Sequence, residues 1–318
     1  MAGTAAGGRG GGRPSLAAEL RAVVDRYRGR LTRSVAPPPS APDPDLTALL
    51  STPFTGVDDV YDRLSTAETH LRNEGDRRAV FLTVYVAMTD RVRTGIEGVG
   101  ESGTPRFENP DWTRAYLVAF AEEYRRALVD FEYGRRVPPA WRVAFGAALG
   151  GRTLVLQDAL LGINAHIVND LAFALDEVGV GEDETRARRR ADHLAINEVL
   201  EGLADAVQIA LVEVYEAAGL ADADALLGRL DERATLAGLR AAREFAWNNA
   251  VLLADYPRLG PFVRWRVKTV AAGTAYALLS PTLDPALRGR FREVEDGGPM
   301  LATVSEAVRE PGRGDREG

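Results

Sequence analysis

The chain has 318 residues, 46% of them apolar, and a formal charge of −7: enough to bury a core, and the wrong sign for a protein whose main partner is nucleic acid. It has no cysteine, which excludes disulfides, thiolate zinc sites and cysteine nucleophiles and fits a reducing, cytoplasmic setting. Lys268 is the only lysine, so the cations are arginines, a bias that genome composition explains as well as anion binding does.

Taken in chain order, residues 1–14 are rich in Gly, Ala and Arg, lack the apolar core of a signal peptide and read as a disordered tail. A helix is expected within 15–35, with Leu16, Leu20, Val23, Val24 and Tyr27 at helical spacing. The stretch APPPSAPDPD over 36–45 reads as a Pro-rich linker, and the folded domain is expected over 45–290. Gly56 and Gly75-Asp76 introduce two helices, the second with Val80, Val84, Ala87 and Met88 on one stripe. After a Gly-rich loop over 95–105, Asn109 and Pro110 should cap and open a helix carrying Trp112, Tyr116, Phe120, Tyr124 and Leu128 as a ridge.

Pro138-Pro139 breaks the chain before a long apolar run over 153–178, which Gly179 and Gly181 end. Asp183 should cap the next helix, Asp222 another, and residues 291–318 read mostly as a disordered tail. Residues 267–279 are apolar but too short to span a bilayer and read as a core helix, so peripheral membrane contact is not expected. With no alternating strand runs and no βαβ rhythm, the pattern predicts one all-α, bundle-like domain of about eight to ten helices.

The candidate chemistry lies in the apolar run and the helix after it. On a wheel at about 100° per residue, Asp158, Gly162, His166, Asn169 and Asp170 share one side, with His166 and Asp170 four apart. Gly162 one turn before His166 removes bulk where a ligand or helix approaches. On the next helix His193 and Asn197 are again four apart, beside Ile196, Leu200, Leu203 and Val207. Antiparallel packing across the 179–182 turn would bring His166 and His193 to similar heights. Imidazole, carboxylate and carboxamide groups are costly to bury without partners.

Three readings fit this cluster. His166, Asp170 and His193 can bind a divalent zinc, iron or manganese ion, with Asp192, Asn197 or Asp158 completing the shell. Alternatively His166 is a general acid or base oriented by Asp170 and assisted by Asn164. Or the polar groups form a hydrogen-bond network that fixes helix register. Asn169, Arg78 and Arg243 are candidate contacts for an anionic small-molecule substrate. His70, near a helix end, reads as surface.

No nucleophile elbow, phosphate loop or dinucleotide fingerprint is present. Asp58-Asp59-Val60-Tyr61-Asp62 matches the first motif of class I terpene synthases, and residues 169–177 resemble their second, which would make Asp58, Asp62, Asn169 and Glu177 magnesium ligands. Against this, Phe173 replaces the hydroxyl ligand, and the aspartates fall in a first helical turn, where acidic side chains favour the helix dipole.

Leu161-Gly162-Ile163-Asn164-Ala165-His166-Ile167-Val168-Asn169-Asp170-Leu171, together with Asp76 to Phe81, Val84-Tyr85 and Thr89, resembles an all-helical microbial family of unknown function, domain-of-unknown-function family 5995, over roughly 55–255. The resemblance implies the helical fold and makes His166 and Asp170 focal, without implying a reaction. The sequence thus points to an enzyme-like pocket between two core helices, in the form of a metal-dependent hydrolase. Its alternative is a non-catalytic helical protein that binds a hydrophobic or lipid-like ligand or a protein partner.

Overall fold

A computed structural model describes residues 35–98, 106–220, 232–280, 285–297 and 300–309. The expected tail over 1–14, nearly all of the helix within 15–35 and the Asp222 cap lie outside the described residues. Among those described, the chain is all-α with no strand. The elements are α1 (Pro44–Leu49), α2 (Val57–Asn73), α3 (Ala79–Glu97), α4 (Pro110–Glu132), α5 (Pro139–Gly150) and α6 (Val155–Ile163). A π-helical segment (Asn164–Asp170) leads into α7 (Leu171–Val178), followed by α8 (Asp183–Ala217) and α9 (Glu232–Asp255). A 3₁₀ turn (Pro257–Leu259), α10 (Gly260–Leu279), α11 (Pro285–Gly297) and α12 (Met300–Arg309) complete the order.

Local chemistry sets several of these ends. Asp43 caps α1, its Oδ1 accepting from the amides of Asp45 and Leu46 at 3.0 Å each. Prolines open α1, α4 and α5, where the missing N–H costs nothing. Gly98 and Gly151 close α3 and α5 in the left-handed conformation, φ 69° and 57°. The cap expected from Asn109 is not formed by its own side chain, and α8 begins at Asp183 rather than after it.

The first half of α3 is buried on every side from Ala79 to Thr89, so this helix runs through the core. The aromatic ridge of α4 is buried as the four-residue spacing implies: Trp112, Tyr116, Phe120, Tyr124 and Leu128 all face inward. The π-helical segment sits where α4, α5, α6, α7, α9 and α10 meet. It interrupts what the sequence reads as one uniform α-helix, with the Leu171 amide bonding the His166 carbonyl five residues back.

Four further expectations change. The helices before and after the 179–182 turn are not principal partners: α9 and α4 pack on α7, whereas α8 lies along α3 and α12. The Pro-rich linker is strapped to α5, its Ala36 amide bonding the Gly146 carbonyl at 2.7 Å. His70 is only a quarter exposed and pairs with Asp43 at 2.7 Å, a hydrogen bond that holds its imidazole above the ordinary value. The helical body also continues past residue 290, with Phe291, Met300 and Val304 buried.

Gly162 serves close packing. A Cβ there would lie 2.4 Å from Phe81 Cγ and 2.5 Å from Phe81 Cβ, atoms too near the α3 backbone to swing aside. Gly162→Ala should therefore destabilise by about 1–3 kcal/mol through overpacking, despite the gain of about 1 kcal/mol in helix propensity. Urea denaturation of the two proteins measures the sign directly.

Candidate functional site

Four elements place the side chains around His166. Phe81 and Tyr85, one turn apart on α3, and Phe120 and Tyr124, one turn apart on α4, present rings to the π-helical segment, and α5 adds Trp141. Phe120 stacks on the imidazole with centroids 3.5 Å apart and planes 8° from parallel. Tyr85 meets it edge-on at 4.5 Å. The imidazole is 2% exposed, in a cage of five aromatic rings.

Asp170 fixes the ring. Its Oδ2 lies 3.0 Å from His166 Nδ1 and accepts from Trp141 Nε1 at 2.7 Å, and its Oδ1 accepts from Asn169 Nδ2 at 2.7 Å. Burial pushes the Asp170 carboxyl up to about 7, partly countered by the Asn169 and Trp141 bonds. Burial also holds the His166 imidazole well below its ordinary value, so the ring is neutral at pH 7. When Asp170 is ionised, Nδ1–H donates to it and Nε2 keeps its lone pair.

That Nε2 has no hydrogen-bond partner among protein atoms, and neither do the buried hydroxyls of Tyr85 and Tyr124 or Oδ1 of Asn169. Buried polar atoms are nearly always paired, so three unpaired within one cage, with a fourth on Asn169 bonded to Asp170, mark it chemically. Asn164 is placed otherwise: its Nδ2 donates to the Ala271 carbonyl of α10 at 2.9 Å, and its Oδ1 is unpaired.

The remaining sequence candidates are not brought to His166. His193 is fully buried, with Nδ1 3.0 Å from the Tyr116 hydroxyl and 3.3 Å from Arg243 Nη2, and its ring packs on Tyr116 and Trp247. The path between the two histidines runs through Tyr116 and Phe120, whose centroids are 6.3 Å apart. Asp192 accepts from the amides of Glu108 and Asn109 at 2.7 and 2.9 Å and from Asn109 Nδ2, tying α8 to the start of α4. Asn197 is half-buried with Oδ1 unpaired.

Asp158, on the same side of the wheel as His166, belongs to a different network. It accepts from Arg77 Nε at 2.7 Å and from the Thr153 hydroxyl, and Arg77 also reaches Glu295 of α11. Arg78 is committed to Asp76 and Glu132. Arg243, 3% exposed, donates to the His193 carbonyl. Among the described residues no three His, Asp or Glu side chains converge as a metal-ligating group, so His166, Asp170, His193, Asp192 and Asp158 supply no such group between them.

The terpene-synthase pattern does not assemble either. Asp58 and Glu177 line a surface cleft of about 1000 Å³ on which Arg93, Arg114 and Arg126 also open. Asp58 pairs with Arg93 at 3.0 Å, while Asn169 is buried against Asp170.

The rings of Phe81, Tyr85, Phe120, Tyr124 and Trp141 are the cage residues that the sequence alone does not assign to a site. The four-residue aromatic ridge was the available signal for two of them; the indole bond from Trp141 to Asp170 had none.

Fold and site together define an all-α protein built around a buried histidine–aspartate pair in an aromatic cage. The chain belongs to the Family of unknown function (DUF5995), whose model matches residues 57–281 and so takes in every cage residue. No curated protein and no solved structure matches it. No helix among the described residues is long and apolar enough to cross a membrane.

Proposed function

We propose that the His166 cage is the centre of an enzyme acting on a small polar substrate, with His166 as general base. The observation that supports this most is the unpaired Nε2 of a neutral imidazole whose other nitrogen is held by a carboxylate. That arrangement presents a lone pair, in fixed orientation, to the proton of a water or substrate hydroxyl. The hydroxyls of Tyr85 and Tyr124 supply donors for developing negative charge, and Asn169 Oδ1 supplies an acceptor. The reaction class is hydrolysis or proton transfer, and the cysteine-free composition supports a cytoplasmic setting.

A divalent zinc, iron or manganese ion is the other occupant that Nε2 suits, since metal-bound histidines commonly have a carboxylate behind them. The residues of this chain give that ion one imidazole nitrogen and amide or phenol oxygens, a weaker donor set than the sequence suggested. The aromatic lining also fits a non-catalytic site for a hydrophobic ligand.

The experiment is turnover of a panel of small esters and phosphoesters, with and without added zinc or manganese, by the wild-type chain and by His166→Gln. Loss of a general base should lower turnover by about 10²–10⁴-fold, with a helical circular-dichroism spectrum retained. A wild-type protein inert to the whole panel, together with a His166→Gln variant that melts lower, would make the cage a packing element only.

A further inference from the structure

Helix α10 buries one stripe, Val263, Val267, Ala271, Ala275 and Leu279. The corner where it follows the 3₁₀ turn is different. Tyr256, Leu259, Phe262 and Trp265 are 58%, 46%, 54% and 61% exposed. The rings of Phe262 and Trp265 lie against each other, centroids 5.8 Å apart, so they form one surface. Trp112, Trp141 and Trp247 are all buried, which makes Trp265 the one tryptophan on the surface. Large apolar groups clustered in the open mark a contact site.

The charges around this corner select the partner. Arg258, Arg264 and Lys268 are exposed on the same turns. Arg264 lies over the Phe173 ring and reaches Asp176 only at 3.5 Å. Asp255, the nearest acidic residue in sequence, is taken by Arg186 at 2.6 Å. No carboxylate among the described residues pairs with Arg258 or Lys268. The corner is thus cationic on a chain whose net charge is −7.

We propose that this corner docks the protein on a membrane surface carrying anionic lipid. Phe262, Trp265 and Leu259 enter the headgroup layer, Tyr256 lies at its level, and Arg258, Arg264 and Lys268 face lipid phosphates. Indole and phenol rings, apolar in body and polar at one edge, favour that boundary, and neighbouring cations add attraction to an anionic leaflet. A second copy of the chain would bring like charges together. The chain's own N-terminal stretch, with Arg9, Arg13, Arg21, Arg26, Arg28, Arg30 and Arg33, carries the same sign. This inference does not depend on the reading of the His166 cage.

The test is flotation of the full chain with vesicles made of equal parts phosphatidylcholine and phosphatidylglycerol, against vesicles of phosphatidylcholine alone. The protein should float with the anionic vesicles at low salt, more weakly as salt rises, and its tryptophan emission should shift to the blue. Phe262→Ser with Trp265→Ser should weaken binding at least about tenfold. Arg258→Gln with Lys268→Gln should weaken it for anionic vesicles only. Trp265→Phe should still bind but show no shift, because the other tryptophans are buried. All these positions are exposed, so unchanged thermal melting verifies the fold. Absence of flotation, equal binding to both vesicle types, or undiminished binding of the double serine variant would overturn the proposal. So would a dimer that the double serine variant splits.

Discussion

Arg78→Met should destabilise the protein by about 3–5 kcal/mol, because it leaves a buried carboxylate without its cation. Glu132 is 1% exposed; one of its oxygens accepts from Arg78 Nη1 and the other from the Asp43 amide at 2.8 Å. Through this one carboxylate, α3, α4 and the strap leading into α1 are joined. The same arginine donates through Nε and Nη2 to Asp76, and together these carboxylates hold its guanidinium above the ordinary arginine value. Denaturant titration of Arg78→Met, Glu132→Gln and the double variant checks the argument. The double variant should recover part of the loss, since Glu132 then carries no charge and only the partly exposed Asp76 has lost its cation. A single variant within about 1 kcal/mol of wild type would show that solvent reaches Glu132 freely.

Trp141→Ala should cost at least as much, about 3–5 kcal/mol from the volume removed. The indole is fully buried, stacks on Phe145 at 4.7 Å and meets Phe81 and Tyr124 edge-on. Trp141→Phe separates packing from polarity: the ring stays and the donor to Asp170 goes, at about 1–2 kcal/mol. The pH dependence carries the sign. Asp170 keeps its proton in the fold up to about pH 7, whereas an unfolded carboxyl loses it near 4. Its ionisation therefore opposes folding increasingly as pH climbs through that interval, and the Trp141 bond offsets part of the opposition. The deficit of Trp141→Phe relative to wild type should be larger at pH 8 than at pH 5. His166, depressed by burial, works the other way: the unfolded ring takes up a proton below about 6.5 that the folded ring refuses, so this group weakens the fold as pH falls. A Trp141→Phe deficit that did not vary with pH would mean that the indole N–H does not support the charged carboxylate.

What was legible in the residues follows from the range of each interaction. The helical class, the aromatic ridge of α4 and the four-residue link between His166 and Asp170 are short-range features, and spacing reveals them. The π-helical segment is not legible, since a bond five residues back leaves no mark in residue type. A uniform wheel consequently grouped Asp158, Gly162 and His166 for one purpose. The fold gives Asp158 to Arg77, Gly162 to Phe81 and Asn164 to α10. Long-range partners were equally hidden. Asp192 holds the start of α4 across 83 and 84 positions, and nothing near it in sequence announces that role. The juxtaposition expected for α7 and α8 gives way to α9, whose arrival depends on chain much further on.

The widened turn at Asn164–Asp170 has a consequence for how length changes are tolerated. Side chains after Asp170 lie on a bearing one position out of step with those before Asn164. A chain shortened by a single residue in this span would wind into an ordinary rod. One residue fewer in an ordinary helix cancels the offset that the wide turn absorbs, so Leu171, Ala172 and Leu175 would keep close to their present bearings, whereas the full-length chain wound uniformly would swing them outward. The segment therefore acts as a phase adjuster: it takes up one residue that a uniform helix would convert into a rotation of everything after it.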